Sequence, residues 1–316
     1  MHREFLLCGF IVIFMAPVTG AAVAKIVNGE NVDIEDCPWQ ISLQKSENGG
    51  DWEHVCGGSI IDERWIVTAA HCFKNSLTAS NYRIAAGSSF LSQMTVFRSV
   101  KQIFVHEYWQ TPLENDNDIM LLELRTPLSF GSTINKITLV NSKSNIYVGD
   151  ICKVSGWGQV SVEKGNDSVS DRLQVAYLSV VTNEYCALSY PEDDIDSSKI
   201  CLQKNGTDVC FGDSGGPMVC QANDGTNHLV GLTSFGPEEC NGFIPGAYTK
   251  LSFFLDWIKN KMYMNMEKDD CKKYRKYREK KDKKRNKKYR KYRKNKNTKR
   301  NKKNKTNTKT TIIYKK

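Results

Sequence analysis

No stretch of this 316-residue chain stays apolar long enough to cross a membrane as a helix, a task that takes roughly 20 residues. The longest apolar run, Phe5 to Phe14, covers about half of that length. No Cys/His spacing of the zinc-binding kind is present. Residues 267–316 contain no Leu, Val, Phe or Trp, so they cannot bury a core. These absences exclude a helical membrane span, a zinc-built fold and a packed domain in the last fifty residues. No metal and no cofactor are expected.

The chain does have a leader, many cysteines and a lopsided charge. His2 and Arg3 precede the apolar run, and Ala16-Pro17-Val18-Thr19-Gly20 follows it. That order reads as a signal peptide over 1–20, hence a secreted, extracellular protein. Eleven cysteines occur; Cys8 leaves with the signal, and ten in a secreted domain suggest a disulfide framework. The net charge of +10 conceals two opposite regions. Residues 267–316 hold 26 Lys/Arg against five Asp/Glu, which leaves the rest of the chain 19 bases against 30 acids. A mildly acidic domain is therefore followed by a strongly basic tail. The tail reads as disordered and repeats Lys-Lys-Tyr-Arg-Lys-Tyr-Arg at 272–278 and 287–293. It would suit a polyanion partner, or have no selected role.

Between leader and tail lie short segments rich in β-branched and aromatic residues, separated by Gly, Asn and Ser. Trp39-Gln40-Ile41-Ser42-Leu43 and Val100-Lys101-Gln102-Ile103-Phe104-Val105 are examples, and they predict an all-β protein. Leu251, Phe254, Leu255, Ile258 and Met262 share one face of a closing helix. Three glycosylation sequons begin at Asn166, Asn205 and Asn304, making a glycoprotein.

Chemistry concentrates in Cys210-Phe211-Gly212-Asp213-Ser214-Gly215-Gly216-Pro217. Small residues around a serine let backbone N–H groups crowd an exposed hydroxyl. Thr68-Ala69-Ala70-His71-Cys72 and Asn117-Asp118-Ile119-Met120-Leu121-Leu122 supply a histidine and an acid upstream. With these three segments, in the order His, Asp, Ser, the chain resembles the trypsin/chymotrypsin family of serine proteases. The resemblance covers roughly 26–262 and implies two six-stranded antiparallel β-barrels with a C-terminal helix. It places the first barrel near 26–135 and the second near 136–249. The domain would occupy 26–266, after a short propeptide at 21–25.

The resemblance also implies roles. Ser214 is the nucleophile, His71 its general base, and Asp118 the group that orients the imidazole. The N–H groups of Gly212 and Ser214 form the oxyanion hole. Asp208 floors the pocket that receives the side chain before the scissile bond (P1), selecting Arg first and Lys second, since a cation relieves a buried carboxylate. Val209, Phe211, Ser234, Phe235, Gly236 and Gly246 complete the substrate site. Val209 replaces a serine common in such pockets, which favours Arg. Cleavage after Lys25 frees the Ile26 amine to pair with Asp213, so the uncut chain is a zymogen. Four disulfides are implied: Cys56–Cys72, Cys152–Cys220, Cys186–Cys201 and Cys210–Cys240. Cys37 and Cys271 either pair together or stay free. The stretch Gly87 to Met94, where calcium-binding relatives carry carboxylates, has no acid. Expected partners are proteins or peptides with Arg or Lys at P1, an activating protease, protein inhibitors and a polyanion at the tail. The alternative is a non-catalytic or polyanion-binding homologue that acts through its tail.

Overall fold

The computed structural model describes residues 26, 29–47, 49–73, 77–141, 144, 146–159, 169–192 and 195–264. Its strands are β1 (Glu30–Asn31), β2 (Gln40–Lys45), β3 (Glu53–Asp62), β4 (Trp65–Thr68), β5 (Tyr82–Ala86), β6 (Val96–Val105) and β7 (Met120–Leu124), followed by β8 (Thr138–Leu139), β9 (Ile151–Gly156), β10 (Gln174–Val181), β11 (Lys199–Gln203), β12 (Pro217–Gln221), β13 (Asn227–Phe235) and β14 (Gly246–Lys250). The helices are α1 (Asn183–Ala187) and α2 (Leu251–Met264).

Strands β2 to β7 close an antiparallel barrel in the order β2-β3-β4-β7-β6-β5, with β5 returning to β2. Strands β9 to β14 close a second, since β10-β11-β14-β13-β12-β9 is completed by β9 pairing with β10. Both barrels lie in one compact unit ending at Phe254, and a second unit begins at Leu255, inside α2. Closure removes the free strand edges that invite aggregation. The apolar positions of β2 show how the pattern builds the core. Ile41 and Leu43 point into the first barrel beside Ile60, Ile66, Ile84, Met120 and Leu122. The alternate residues Gln40 and Ser42 are buried as well, because that face meets polar groups instead of water. Gln40 Oε1 accepts from the hydroxyl of Ser155, on β9 of the other barrel, at 2.7 Å.

The barrels also meet backbone to backbone. The N–H of Gly57 donates to the carbonyl of Ser214 at 2.8 Å. A Cβ on Gly57 would lie 2.9 Å from the Cα of Gly216, so a side chain there would push the nucleophile turn off the first barrel. In α2 the residues of the expected apolar face are the covered ones: Leu251, Phe254 and Ile258 are buried, and Leu255 and Met262 half-buried. The four implied disulfides all form. Cys37 is a free, fully buried thiol, raised in pKa by that burial. The leader, Lys25, Cys271, the sequons at Asn166 and Asn304, and the tail fall outside the described residues. Asn205 is exposed in a turn. No helix among the described residues is long and apolar enough to cross a membrane.

Candidate active site

His71 sits in a single 3-10 turn, Ala70–Phe73, directly after β4. Asp118 precedes β7, just after Asn117, which takes a positive φ of 54°. Strand β7 pairs with β4, so residues 47 apart in sequence become neighbours. The His71 backbone N–H donates to Asp118 Oδ1 at 2.9 Å, and ring Nδ1 lies 2.7 Å from Oδ2. Since a carboxylate only accepts, Nδ1 carries the proton and Nε2 is left to act as a base. Ser234 adds a hydroxyl donor to the same Oδ2 at 2.6 Å, and Thr249 donates to the Asp118 carbonyl at 2.7 Å. Burial works to raise the Asp118 carboxyl, but the His71 charge and the hydrogen bonds from His71 and Ser234 outweigh it and hold the pKa below the usual range.

Ser214 comes from the second barrel, in the turn that leads into β12. Gly212 and Gly215 hold this turn with φ of 97° and 71°, a region closed to most side chains. The Gly212 peptide is pinned by a residue that sequence reasoning missed. His54 Nε2, on β3, lies 3.0 Å from the Gly212 carbonyl, and Nδ1 lies 2.8 Å from the Ser42 hydroxyl. The carbonyl requires a proton on Nε2, and in the neutral ring Nδ1 then accepts from the Ser42 hydroxyl. Burial favours the same state, lowering the His54 pKa to about 4. Among the described residues, the N–H groups of Gly212 and Ser214 find no acceptor.

His71 and Ser214 line one cavity of about 460 Å³, together with Val209, Phe211, Ser234, Phe235 and Gly236. Phe211 is 56% exposed at its edge. Asn115 and Glu238 also line it and were not anticipated, since nothing in their local sequence marks them. Asp208 and Gly246 are not part of the lining. They lie beside each other, a Cβ on Gly246 falling 3.4 Å from Asp208 Oδ1. Asp208 is 1% exposed. One of its oxygens accepts from the Val209 N–H at 2.8 Å; among the described residues the other is buried with no well-formed hydrogen bond, the Gly242 N–H bearing on the carboxyl only weakly. Burial and the nearby Asp213 push its pKa up to about 7. Asp213 is fully buried and accepts from the N–H groups of Gly158 at 2.8 Å and Cys210 at 3.0 Å. Burial still raises it to about 6. Ile26 is fully buried too. The donor atoms of Cys56, His71 and Cys72 also come together, but the two sulfurs are joined to each other and offer no thiolate to a metal.

Two closed six-stranded barrels, with one cavity lined by His71 of the first and Ser214 of the second, have the architecture of the two-barrel serine proteases. The family model for trypsin matches residues 26–258, and the chain belongs to the trypsin family. Its four disulfides fit a secreted protein.

Proposed function

We propose that this chain is a secreted endopeptidase, made as a zymogen, that hydrolyses peptide bonds after Arg and Lys. The observation that carries this reading is the shared cavity. His71 and Ser214 both line it, and Nδ1 of the His71 ring is held by the buried Asp118 carboxylate. In the proposed reaction Nε2 of His71 takes the Ser214 proton as the oxygen attacks the substrate carbonyl. The oxyanion that forms is held by the N–H groups of Gly212 and Ser214, where one such donor is worth roughly 3–4 kcal/mol. His71 then returns the proton to the leaving amine, and water hydrolyses the acyl-enzyme by the same route.

Asp208 supports the choice of substrate. A buried carboxylate oxygen without a well-formed hydrogen bond is satisfied when a P1 guanidinium or ammonium reaches it. Asp213 supports the zymogen. Among the described residues its buried carboxyl has no countercharge, and the Ile26 ammonium, freed by cleavage after Lys25, would supply one. Under this reading an activating protease acts between 21–25 and the domain at 26–266. The basic tail, 267–316, is then a substrate of its own enzyme and is trimmed, which intact-mass analysis of the active protein checks.

The deciding experiment activates the purified chain at Lys25 and offers matched peptides with Arg, Lys, Phe or Ala at P1. Hydrolysis of the Arg peptide is expected, with loss of roughly a millionfold in kcat for Ser214→Ala. Hydrolysis of none, with a free Ile26 amine present, overturns the proposal in favour of a binding protein.

A further inference from the structure

Lys199 opens β11 on the second barrel and is almost wholly buried. Its ammonium donates to Asp116 Oδ1 at 2.6 Å, across 83 residues of sequence. The two side chains are 5% and 12% exposed. Asp196 Oδ1 stands further off, at 3.9 Å. The second oxygen of Asp116 accepts from the Leu113 N–H at 3.2 Å, and its carbonyl from the Gln110 N–H at 3.0 Å. Directly across the ladder from Lys199 is Thr249 on β14, whose hydroxyl donates to the Asp118 carbonyl. Two cross-strand neighbours of the second barrel therefore grip positions 116 and 118 of one first-barrel segment. Between them Asn117 ties its side chain to the carbonyls of Tyr108 at 2.9 Å and Thr111 at 3.2 Å. Asn115, next to Asp116, lines the cavity.

A buried ion pair is a poor way to gain stability alone, because an apolar pair of similar volume often does as well. It does have a direction and a fixed length, which an apolar contact lacks. We propose that Lys199 and Asp116 are positioning residues: their ion pair sets where the Asp118 segment and the Asn115 wall stand relative to Ser214. The proposal rests on the catalytic reading above. The pair acts on the reaction through Asp118, by fixing the plane and reach of the His71 ring.

The test compares the full activated chain with Lys199→Met, with Asp116→Asn, and with Asp116→Asn combined with Lys199→Met. Lys199→Met leaves a buried carboxylate alone and so loses thermal stability. The double variant removes that burden and keeps the fold available for measurement. Three quantities are read: Tm, kcat and KM on one P1-Arg peptide, and the downfield proton resonance of His71 Nδ1–H, which needs no turnover. Misplacing the reacting groups by a fraction of an ångström should lower kcat in the double variant by about tenfold or more. Its Tm should recover, KM should change little, and the resonance should move upfield or broaden. A double variant that regains both Tm and wild-type kcat with an unchanged resonance overturns the proposal and leaves the pair a purely structural contact. If the wild-type chain turns over no peptide, the catalytic reading fails, and the resonance still decides whether the pair positions His71 and Asp118.

Discussion

Among the described residues one disulfide, Cys56–Cys72, ties the first barrel, whereas Cys152–Cys220, Cys186–Cys201 and Cys210–Cys240 tie the second. The backbone differs in the same sense. Among the described residues, glycines with positive φ at 206, 212, 215, 225 and 242 all lie between β11 and β14, while between β2 and β7 only 49 and 87 do so. In the first barrel the backbone N–H and ring of His71 hold Asp118, and hydroxyls of Ser234 and Thr249 from the second barrel add to that grip. The second presents main chain, and a turn built from glycines has few side chains to bury. Cross-links can supply the order that packing does not. Cys210 and Cys240 both line the cavity, so that bridge joins two of its walls directly. The first barrel supplies His71 and Asp118, and the second supplies the glycine-built Ser214 turn and the buried carboxyls of Asp208 and Asp213.

This division can be tested from several directions. The largest effect is expected at the buried acid of the second barrel. Asp208→Ser should lower kcat/KM for P1-Arg peptides by about 10,000-fold, as for a site deprived of its charged partner. The His71–Asp118 hydrogen bond should survive, and steady-state kinetics with proton NMR reads both. Cross-link removal comes next. Loop-closure entropy gives about 4 kcal/mol for Cys152–Cys220 and about 3 kcal/mol for Cys56–Cys72, from sequence separations of 68 and 16. Urea titration of the paired alanine variants measures the difference, and equal losses would blur the contrast between barrels.

A smaller loss is expected from Gly158→Ala. The added Cβ would overlap the Asp213 carboxyl and displace the turn that carries Gly212 and Ser214. A drop of about 100-fold in kcat is expected for such a displacement, with the first barrel unaffected by amide exchange. The mildest effect concerns pH. With a pKa of about 7, Asp208 is protonated below that pH and ionised above it. A P1 cation binds the ionised form, so KM for the Arg peptide should rise as pH falls below 7. The limit is roughly tenfold per pH unit, and KM should be flat above. A peptide with neutral P1 should lack this trend; if it follows the same curve, the proton resides elsewhere.

Much of the architecture was legible from residue order. Alternation in segments such as Trp39 to Leu43 pointed to strands, and the spacing of Leu251, Phe254, Leu255, Ile258 and Met262 pointed to the helix and its covered face. The three motif segments identified His71, Asp118 and Ser214 as candidates; His71 and Ser214 line one cavity, and Asp118 stands behind His71 at 2.7 Å from its ring Nδ1. The substrate-site candidates divided. Val209, Phe211, Ser234, Phe235 and Gly236 line the cavity, and Asp208 and Gly246 lie outside its lining. Ser234 has a contact that its sequence position did not suggest, a hydroxyl on Asp118. His54, Asn115, Asp116, Lys199 and Thr249 were not legible, since each matters through a partner far away in the chain.

The sequence by itself determined the kinds of chemistry available: a hydroxyl among glycines, an imidazole, and acids at fixed intervals in short alternating strands. Periodicity and turn residues are local, so they can be read one segment at a time. Only the tertiary structure decided which of these groups meet. Barrel closure brought β4 beside β7 and thereby His71 onto Asp118, and the Gly57–Gly216 approach let the Ser214 turn dock against the other barrel. It also decided which polar groups lost water. Lys199 and the polar face of β2 read as ordinary surface residues in the sequence, and Asp208 and Asp213 were given roles there only through the resemblance. They acquire shifted pKa values or fixed partners only where folding removes solvent and leaves a specific neighbour, or none, in its place.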